Sequence, residues 1–262
     1  MRRTLATFIL TCLMATLSIA QHLPYLSEPT FKGGEKLRYK LKYGFLNAAS
    51  AYLQVSDSNL KFGPDPTFRL FASGETSGAF SLYTVKNKYE SYINKKTLMP
   101  YLYVENIQEG SYRREEYASF DHKNKTVTGK KGTFKSNQPQ FFDLVSAYYF
   151  ARNLDFSNLK KGDKFNINYF LSDEISQLSV EYVGIEKVKT ALGMLECIKL
   201  SPEISPGRIF KKDSKLYLWV TNDGNRIPVK AHVEILIGSV TLELVSAEGL
   251  KYKLGQRASY SK

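Results

Sequence analysis

The chain is poor in the residues that do chemistry and in those that staple a fold. Its 262 residues hold two cysteines, Cys12 and Cys197, three histidines and one tryptophan. His22, His122 and His232 each stand alone, and no H-x-x-x-H, C-x-x-C or clustered-carboxylate spacing marks a metal site. There is no G-x-G-x-x-G turn or Walker-type loop for a nucleotide. The nearest approach to a serine elbow, Gly74-Glu75-Thr76-Ser77-Gly78, reads as turn composition. Past the N-terminus, charges interrupt every apolar run, so no later segment is expected to cross a bilayer as a helix. The expectation is no metal, no cofactor and no catalytic residue that a motif reveals. Acid/base groups need not leave a motif, so enzymatic activity stays open at this point.

What the N-terminus does have is a leader. Met1-Arg2-Arg3 precede an apolar run from Leu5 to Leu17, and Ser18-Ile19-Ala20 puts small residues at −3 and −1. This predicts a secretory signal peptide over 1–20 and a mature chain starting at Gln21. The apolar run is short of the ~20 residues that a spanning helix needs. Cys12 makes a poor lipid-attachment site, since Thr11 precedes it where a small Gly or Ala is expected. Cleavage takes Arg2 and Arg3 away, and the formal charge falls from +12 to +10. Cys197 is then the only thiol, which excludes an internal disulfide and leaves stability to burial.

Aromatic residues are abundant instead, with 18 Tyr and 16 Phe, and with β-branched residues they favour pleated surfaces. The clearest pattern lies between Ser214 and Gly249. Leu216, Leu218 and Val220 alternate with Tyr217 and Trp219 before the Asp223-Gly224-Asn225 turn. Val229 to Ile235 and Val240 to Leu244 alternate likewise, separated by a reversal near Gly238-Ser239. Period-two alternation bounded by Gly, Asn and Asp predicts an antiparallel meander on which earlier strands assemble. Lys36 to Tyr43 is equally clean, with Leu37, Tyr39, Leu41 and Tyr43 on one side. Further strands are predicted around 49–55, 68–73, 89–93, 101–107, 112–120, 126–128, 165–171, 178–185 and 195–200. Gly129 to Pro139 is polar and basic, the best candidate for a mobile loop. One helix is predicted over Asp143 to Leu154, capped by Asp143, with Leu144, Ala147, Tyr148, Ala151 and Leu154 as its apolar stripe. The organisation expected is a 1–20 leader, a 21–34 extended lead-in, one all-β domain over 35–254 and a frayed 255–262 tail. Within it Trp219, Pro228 and Tyr148 are read as structural residues.

The basic excess is the strongest functional hint. Lys36, Arg38, Lys40 and Lys42 form one row of the first strand, and Lys123, Lys125, Lys130, Lys131 and Lys135 crowd one stretch. Arg208, Lys211, Lys212 and Lys215 crowd another. Such residues also keep sheet edges from pairing and keep a protein in solution. Export argues against nucleic acid as the partner. An exported cationic surface meets anionic lipid, glycolipid or acidic polysaccharide of the envelope, so Lys36, Arg38, Lys40, Lys42, Lys123, Lys125, Lys130 and Lys131 are the candidate binding residues. His232, on the polar side of its strand, and Cys197, with no base placed by motif, read as ordinary sheet residues.

Several segments in order resemble one family: Glu35-Lys36-Leu37-Arg38-Tyr39, Tyr89-Glu90-Ser91-Tyr92 ahead of Leu98-Met99-Pro100, and Asp143-Leu144-Val145-Ser146-Ala147-Tyr148-Tyr149. Leu218-Trp219-Val220-Thr221-Asn222-Asp223, running into Arg226-Ile227-Pro228-Val229-Lys230, completes the set. Over about residues 31–252 the chain resembles the exported bacterial domain of unknown function 3108. That resemblance implies a spiral β-roll, a long antiparallel sheet coiled on itself with little helix, and no established activity. Ala48-Ala49 stands where the family tends to place Ala-Gly. The reading that follows is an all-β, mainly antiparallel rolled sheet with one short amphipathic helix, exported to the periplasm or peripherally held at the envelope. Its function is non-enzymatic binding of an amphipathic or anionic envelope component. The alternative is a hydrolase of envelope glycan or lipid, with a carboxylate pair assembled across strands.

Overall fold

The computed structural model describes residues 24–204 and 214–258. The expected leader, His22 and the basic residues Arg208, Lys211 and Lys212 lie outside them. Fourteen strands form one antiparallel sheet: β1 (Lys36–Tyr43), β2 (Leu46–Ser58), β3 (Thr67–Thr76), β4 (Lys86–Asn94), β5 (Pro100–Glu109), β6 (Tyr112–Asp121), β7 (Thr126–Gly129), β8 (Gly132–Lys135), β9 (Lys164–Leu171), β10 (Glu174–Thr190), β11 (Gly193–Pro202), β12 (Leu216–Thr221), β13 (Pro228–Glu234) and β14 (Ser239–Glu248). The helix α1 (Leu144–Ala151) separates the first eight from the last six, and a 3-10 turn covers Gly78–Phe80.

Strand order is β8-β7-β6-β5-β4-β3-β2-β1-β14-β13-β12-β11-β10-β9. Two meanders therefore meet where β1 pairs with β14, and the sheet stays open, with β8 and β9 as its edges. One core cluster draws Val55, Leu70, Ile93 and Phe120 from one meander and Phe165, Val180, Leu200 and Val220 from the other. Val145, Tyr149 and Phe150 of α1 lie in the same cluster. The sheet is rolled around its helix.

Irregularities supply the curl. The β1–β2 register slips between Leu41 and Lys42, which pair with Ala49 and Asn47 and leave Ala48 as the extra residue of a bulge. The second alanine in place of the family's glycine does not prevent it. In β10 the register slips between Tyr182 and Gly184, and Gly184 has φ +136°, a backbone region that only glycine enters freely. The distal β10–β11 hairpin then curls back, and Lys189 to Ala191 share a hollow with Lys40, Lys230 and Glu243. A second cluster joins Val188, Leu192 and Leu195 of that hairpin to Trp219, Val229 and Leu244. Trp219 is 7% exposed, and its indole N–H donates to a Glu186 carboxylate oxygen. Pro228 is buried at the head of β13, and its carbonyl accepts from the Tyr39 hydroxyl at 3.1 Å.

Two expectations need correction. The Gly129–Pro139 stretch is not all loop, because Gly132–Lys135 returns as β8, with Phe134 5.6 Å from Phe170 between ring centroids. The helix also buries a different face from the predicted stripe. Val145, Ser146, Tyr149 and Phe150 are buried whereas Leu144 is 48% exposed. Seven of the eight residues, LVSAYYFA, are apolar or aromatic, so they lie on more than one side and spacing alone does not select a face.

Candidate functional site

The site is built where the roll fails to close. After β8 the chain crosses the open end and runs into α1. Phe141 and Phe142 are buried there. Phe142 pairs in parallel with the edge of β9: its N–H donates to the Asn168 carbonyl at 3.0 Å, and its carbonyl accepts from the Phe170 N–H at 2.7 Å. Asp143 then caps the helix. Its carboxylate accepts from the N–H groups of Val145 and Ser146, each at 2.9 Å, and from the hydroxyls of Ser91 at 2.6 Å and Ser146 at 2.8 Å. The Ser146 hydroxyl is itself 3.0 Å from the Asp143 N–H, the reciprocal half of a capping box. Burial raises the Asp143 pKa and these donors oppose the rise.

The C-terminal end of α1 is held as firmly. Arg152 and Glu35, both buried, pair through two bonds of 2.6 and 2.8 Å, and Arg152 also donates to the Asn225 carbonyl at 2.9 Å. Tyr39, Tyr148 and Tyr149 surround the pair, and burial raises the pKa of all three phenols. Asp223 organises the neighbouring turn, accepting from Thr221 and from the N–H groups of Asn225 and Arg226. Arg152 and Glu35 fix the helix to the β12–β13 turn, and Thr221 and Asp223 of that turn line a separate hollow of about 470 Å³ with Glu196 and Arg257.

Between these anchors lies a cleft of about 350 Å³. Phe142, Phe150, Leu154 and Phe165 supply its apolar surface. Four carboxamides, Gln138, Gln140, Asn166 and Asn168, supply its polar one, and no lining residue is charged. Asn166 belongs to the outward-facing phase of β9, two residues before the carbonyl that Phe142 engages, and no strand pairs there. The cleft therefore joins aromatic surface, side-chain amides and an open strand edge, a set that can hold an apolar body and hydrogen-bond a polar, uncharged head.

The basic residues are dispersed. Lys40 and Lys42 sit 3.4 and 2.9 Å from one Glu243 oxygen, which holds that carboxyl low, Lys42 first. Arg38 lies 5.0 Å over the Tyr52 ring, and Lys36 is at the other end of β1. Lys123 and Lys125 occupy the β6–β7 turn, whereas Lys130 and Lys131 occupy the β7–β8 turn, Lys131 pairing with Asp173 at 2.8 Å. The four residues of β7 put these two pairs roughly 13 Å apart. From β1 to β7 is six strand spacings, roughly 29 Å along the sheet. The structure does not gather the row and the loop into one patch along the sheet.

Carboxylates share three hollows: Glu196 and Asp223 line one of about 470 Å³, Glu181 and Glu203 one of about 240 Å³, and Glu105, Glu116 and Asp173 a crevice of about 20 Å³ with Tyr103 and Lys130. Glu105 is buried, pairs with Arg114 and accepts from the Tyr103 hydroxyl at 3.0 Å. With Asp173 tied to Lys131, both are neutralised, and the crevice has room for no more than a water. Among the described residues no group of three or more His, Cys, Asp or Glu side chains could hold a metal ion. Sequence reasoning missed the cleft because its aromatic residues read as core and its amides as strand polar faces; the one available sign was the Gln138-Pro139-Gln140 lead into Phe141-Phe142.

No described helix is long and apolar enough to cross a membrane. No curated protein matches the chain. Among solved structures it is similar to a β-barrel-like protein of domain of unknown function DUF1849 from Brucella abortus, at 10% identity and TM-score 0.54. That likeness covers 88% of this chain and all of the other, and it is one of fold alone. It is also similar to a Bacteroides fragilis protein described as exported, with a YmcC-like fold, at 14% identity and TM-score 0.40 over 86% of this chain and all of that one. A Parabacteroides distasonis protein described as a lipoprotein matches at 12% identity and TM-score 0.36, covering 86% of this chain and 99% of its own. The family model described as protein of unknown function DUF3108 matches residues 38–245, most of the chain, and the chain belongs to that family.

Proposed function

We propose that this is an exported, non-enzymatic envelope protein that binds a small amphipathic molecule in the cleft between α1, β9 and residues 138–142. The observation that carries the reading is the pairing of that cleft's aromatic surface with an uncharged amide rim and an unpaired strand edge. At about 350 Å³ it lies at the lower end of the ~300–1,000 Å³ range of small-molecule sites. Such a site favours a compact apolar body with a neutral hydrogen-bonding head over a large acidic lipid. The leader supports an envelope setting. The hydrolase alternative has less behind it: Glu105 and Asp173 are paired with bases in a crevice too small for a sugar or an ester. Glu196 and Asp223 are held by Arg257, Asn222 and the donors of the β12–β13 turn, and Glu181 and Glu203 share their hollow with Lys164 and Lys215.

The test uses N-phenyl-1-naphthylamine, an uncharged amphipathic fluorophore. Saturable enhancement by the wild-type protein should be lost in Asn166→Trp, which replaces a lining amide with a bulky ring, and kept in Lys40→Gln. Equal binding by Asn166→Trp would remove the cleft as the site.

A further inference from the structure

The sixteen large apolar side chains that stand exposed among the described residues are not evenly spread. The three most exposed, Leu82 at 98%, Phe45 at 89% and Ile237 at 78%, all lie on turns at one end of the roll. Strand direction alternates across the antiparallel sheet, so the β1–β2, β3–β4, β5–β6 and β13–β14 connections share that end. Leu46, Phe80, Tyr83, Tyr112 and Leu236 are exposed on the same connections.

These turns are joined into one strip. The Tyr43 hydroxyl donates to the Ile237 carbonyl at 2.8 Å, and the Gly44 N–H donates to Ser239 at 2.9 Å. Tyr43 meets Phe80 edge-on at 6.1 Å. The Ser77 N–H donates to Ala48 at 2.9 Å, and the Gly110 N–H donates to the Thr84 carbonyl at 2.7 Å. Backbone bonding fixes the tips relative to one another while leaving their side chains in water. A strip of this kind exceeds the scattered exposure that a soluble surface ordinarily carries.

We infer that this rim inserts into the surface of a lipid bilayer. A row of projecting tips matches a deformable interface, in which Leu82 and Ile237 reach the acyl boundary while Phe45, Tyr83 and Tyr112 stay at headgroup level. The net charge of the whole chain favours a bilayer bearing anionic lipid. It is a formal +12, or +10 without Arg2 and Arg3, whereas just behind the tips Lys42, Lys86 and Arg113 are balanced by Glu75, Glu109 and Glu234. The charge draws the molecule to the surface and the apolar tips hold it there. This inference does not rest on the cleft, which lies on β9 and α1 away from these turns.

The experiment is flotation of the natively processed protein with phosphatidylcholine vesicles, with and without phosphatidylglycerol, at low and high salt. The wild type should bind the mixed vesicles. Leu82→Asp and Ile237→Asp, both on side chains that pack against little, should keep the wild-type melting temperature and bind roughly tenfold or more weakly. Leu60→Asp, an equally apolar exposed position at the opposite end, should bind as the wild type does. Binding unchanged by the tip substitutions would overturn the proposal. So would a wild type that ignores every vesicle, or one whose light scattering shows a dimer that the tip substitutions dissociate, since a second copy would then cover the rim. Asn166→Trp should bind vesicles normally, so failure here and failure of the cleft reading are told apart.

Discussion

Arg152 shows what single residues contribute. Its guanidinium is 2% exposed and shares two hydrogen bonds with a Glu35 carboxylate that is 0% exposed. Removing one member strands the other in a dry site, so Arg152→Met should cost about 3–5 kcal/mol by denaturant titration, and Arg152→Met with Glu35→Leu should recover part of it. Equal losses in the single and double variants would mean that packing, and not the stranded charge, carries the effect. Gly249 is constrained differently: its φ is +65°, and a Cβ would overlap the Gly34 carbonyl oxygen. Gly249→Ala should therefore destabilise more than an ordinary Gly-to-Ala change, with the loss visible as a lower melting temperature. Cys197 is fully buried, and burial first, then Asp223, Glu186 and Glu196, pushes its thiol up to about 12. Ellman's reagent at pH 8 should label it only after denaturation, and prompt labelling of the native protein would contradict that placement.

At the scale of elements, α1 depends on Asp143. Asp143→Ala removes both carboxylate oxygens, the acceptors for two N–H groups and two hydroxyls, and should cost about 2–3 kcal/mol by cap loss and buried unsatisfied donors. Asp143→Asn keeps one acceptor and should cost less. The pH dependence follows from the raised pKa. The native state holds this proton more tightly than the unfolded chain, so its contribution is fullest at low pH. It declines as pH rises from the ordinary 3.8 through the raised native value, and is flat above. Asp143→Asn should lack that decline; an identical pH profile would assign it to another carboxyl. The cap was legible in the sequence because a capping side chain must precede its helix. The buried face was not, since apolar residues run around more than one side of Leu144–Ala151 and tertiary contact decides among them. Strands with strict alternation, as in Lys36–Tyr43, were legible for the converse reason: period two leaves a single way to bury one side. β8 escaped because Gly-Thr-Phe-Lys is too short to show a period, and its place is set by Phe134 against Phe170.

For the whole molecule, the family resemblance together with alternation reached the rolled antiparallel sheet, while the cleft depended on contacts that no spacing records. Phe142, Phe150 and Phe165 come from a connecting segment, a helix and an edge strand, and only the failure of the roll to close brings them beside Asn166. The cationic residues were legible singly but not as an arrangement, because strand order places Lys36 to Lys42 far along the sheet from Lys123 to Lys131. Occupancy of the cleft can be read by native mass spectrometry of the protein purified from its source cells. The wild type should carry a small amphipathic adduct that is absent from Asn166→Trp at equal folded yield. A wild type that carries no adduct, or an adduct that persists undiminished in Asn166→Trp, would contradict it.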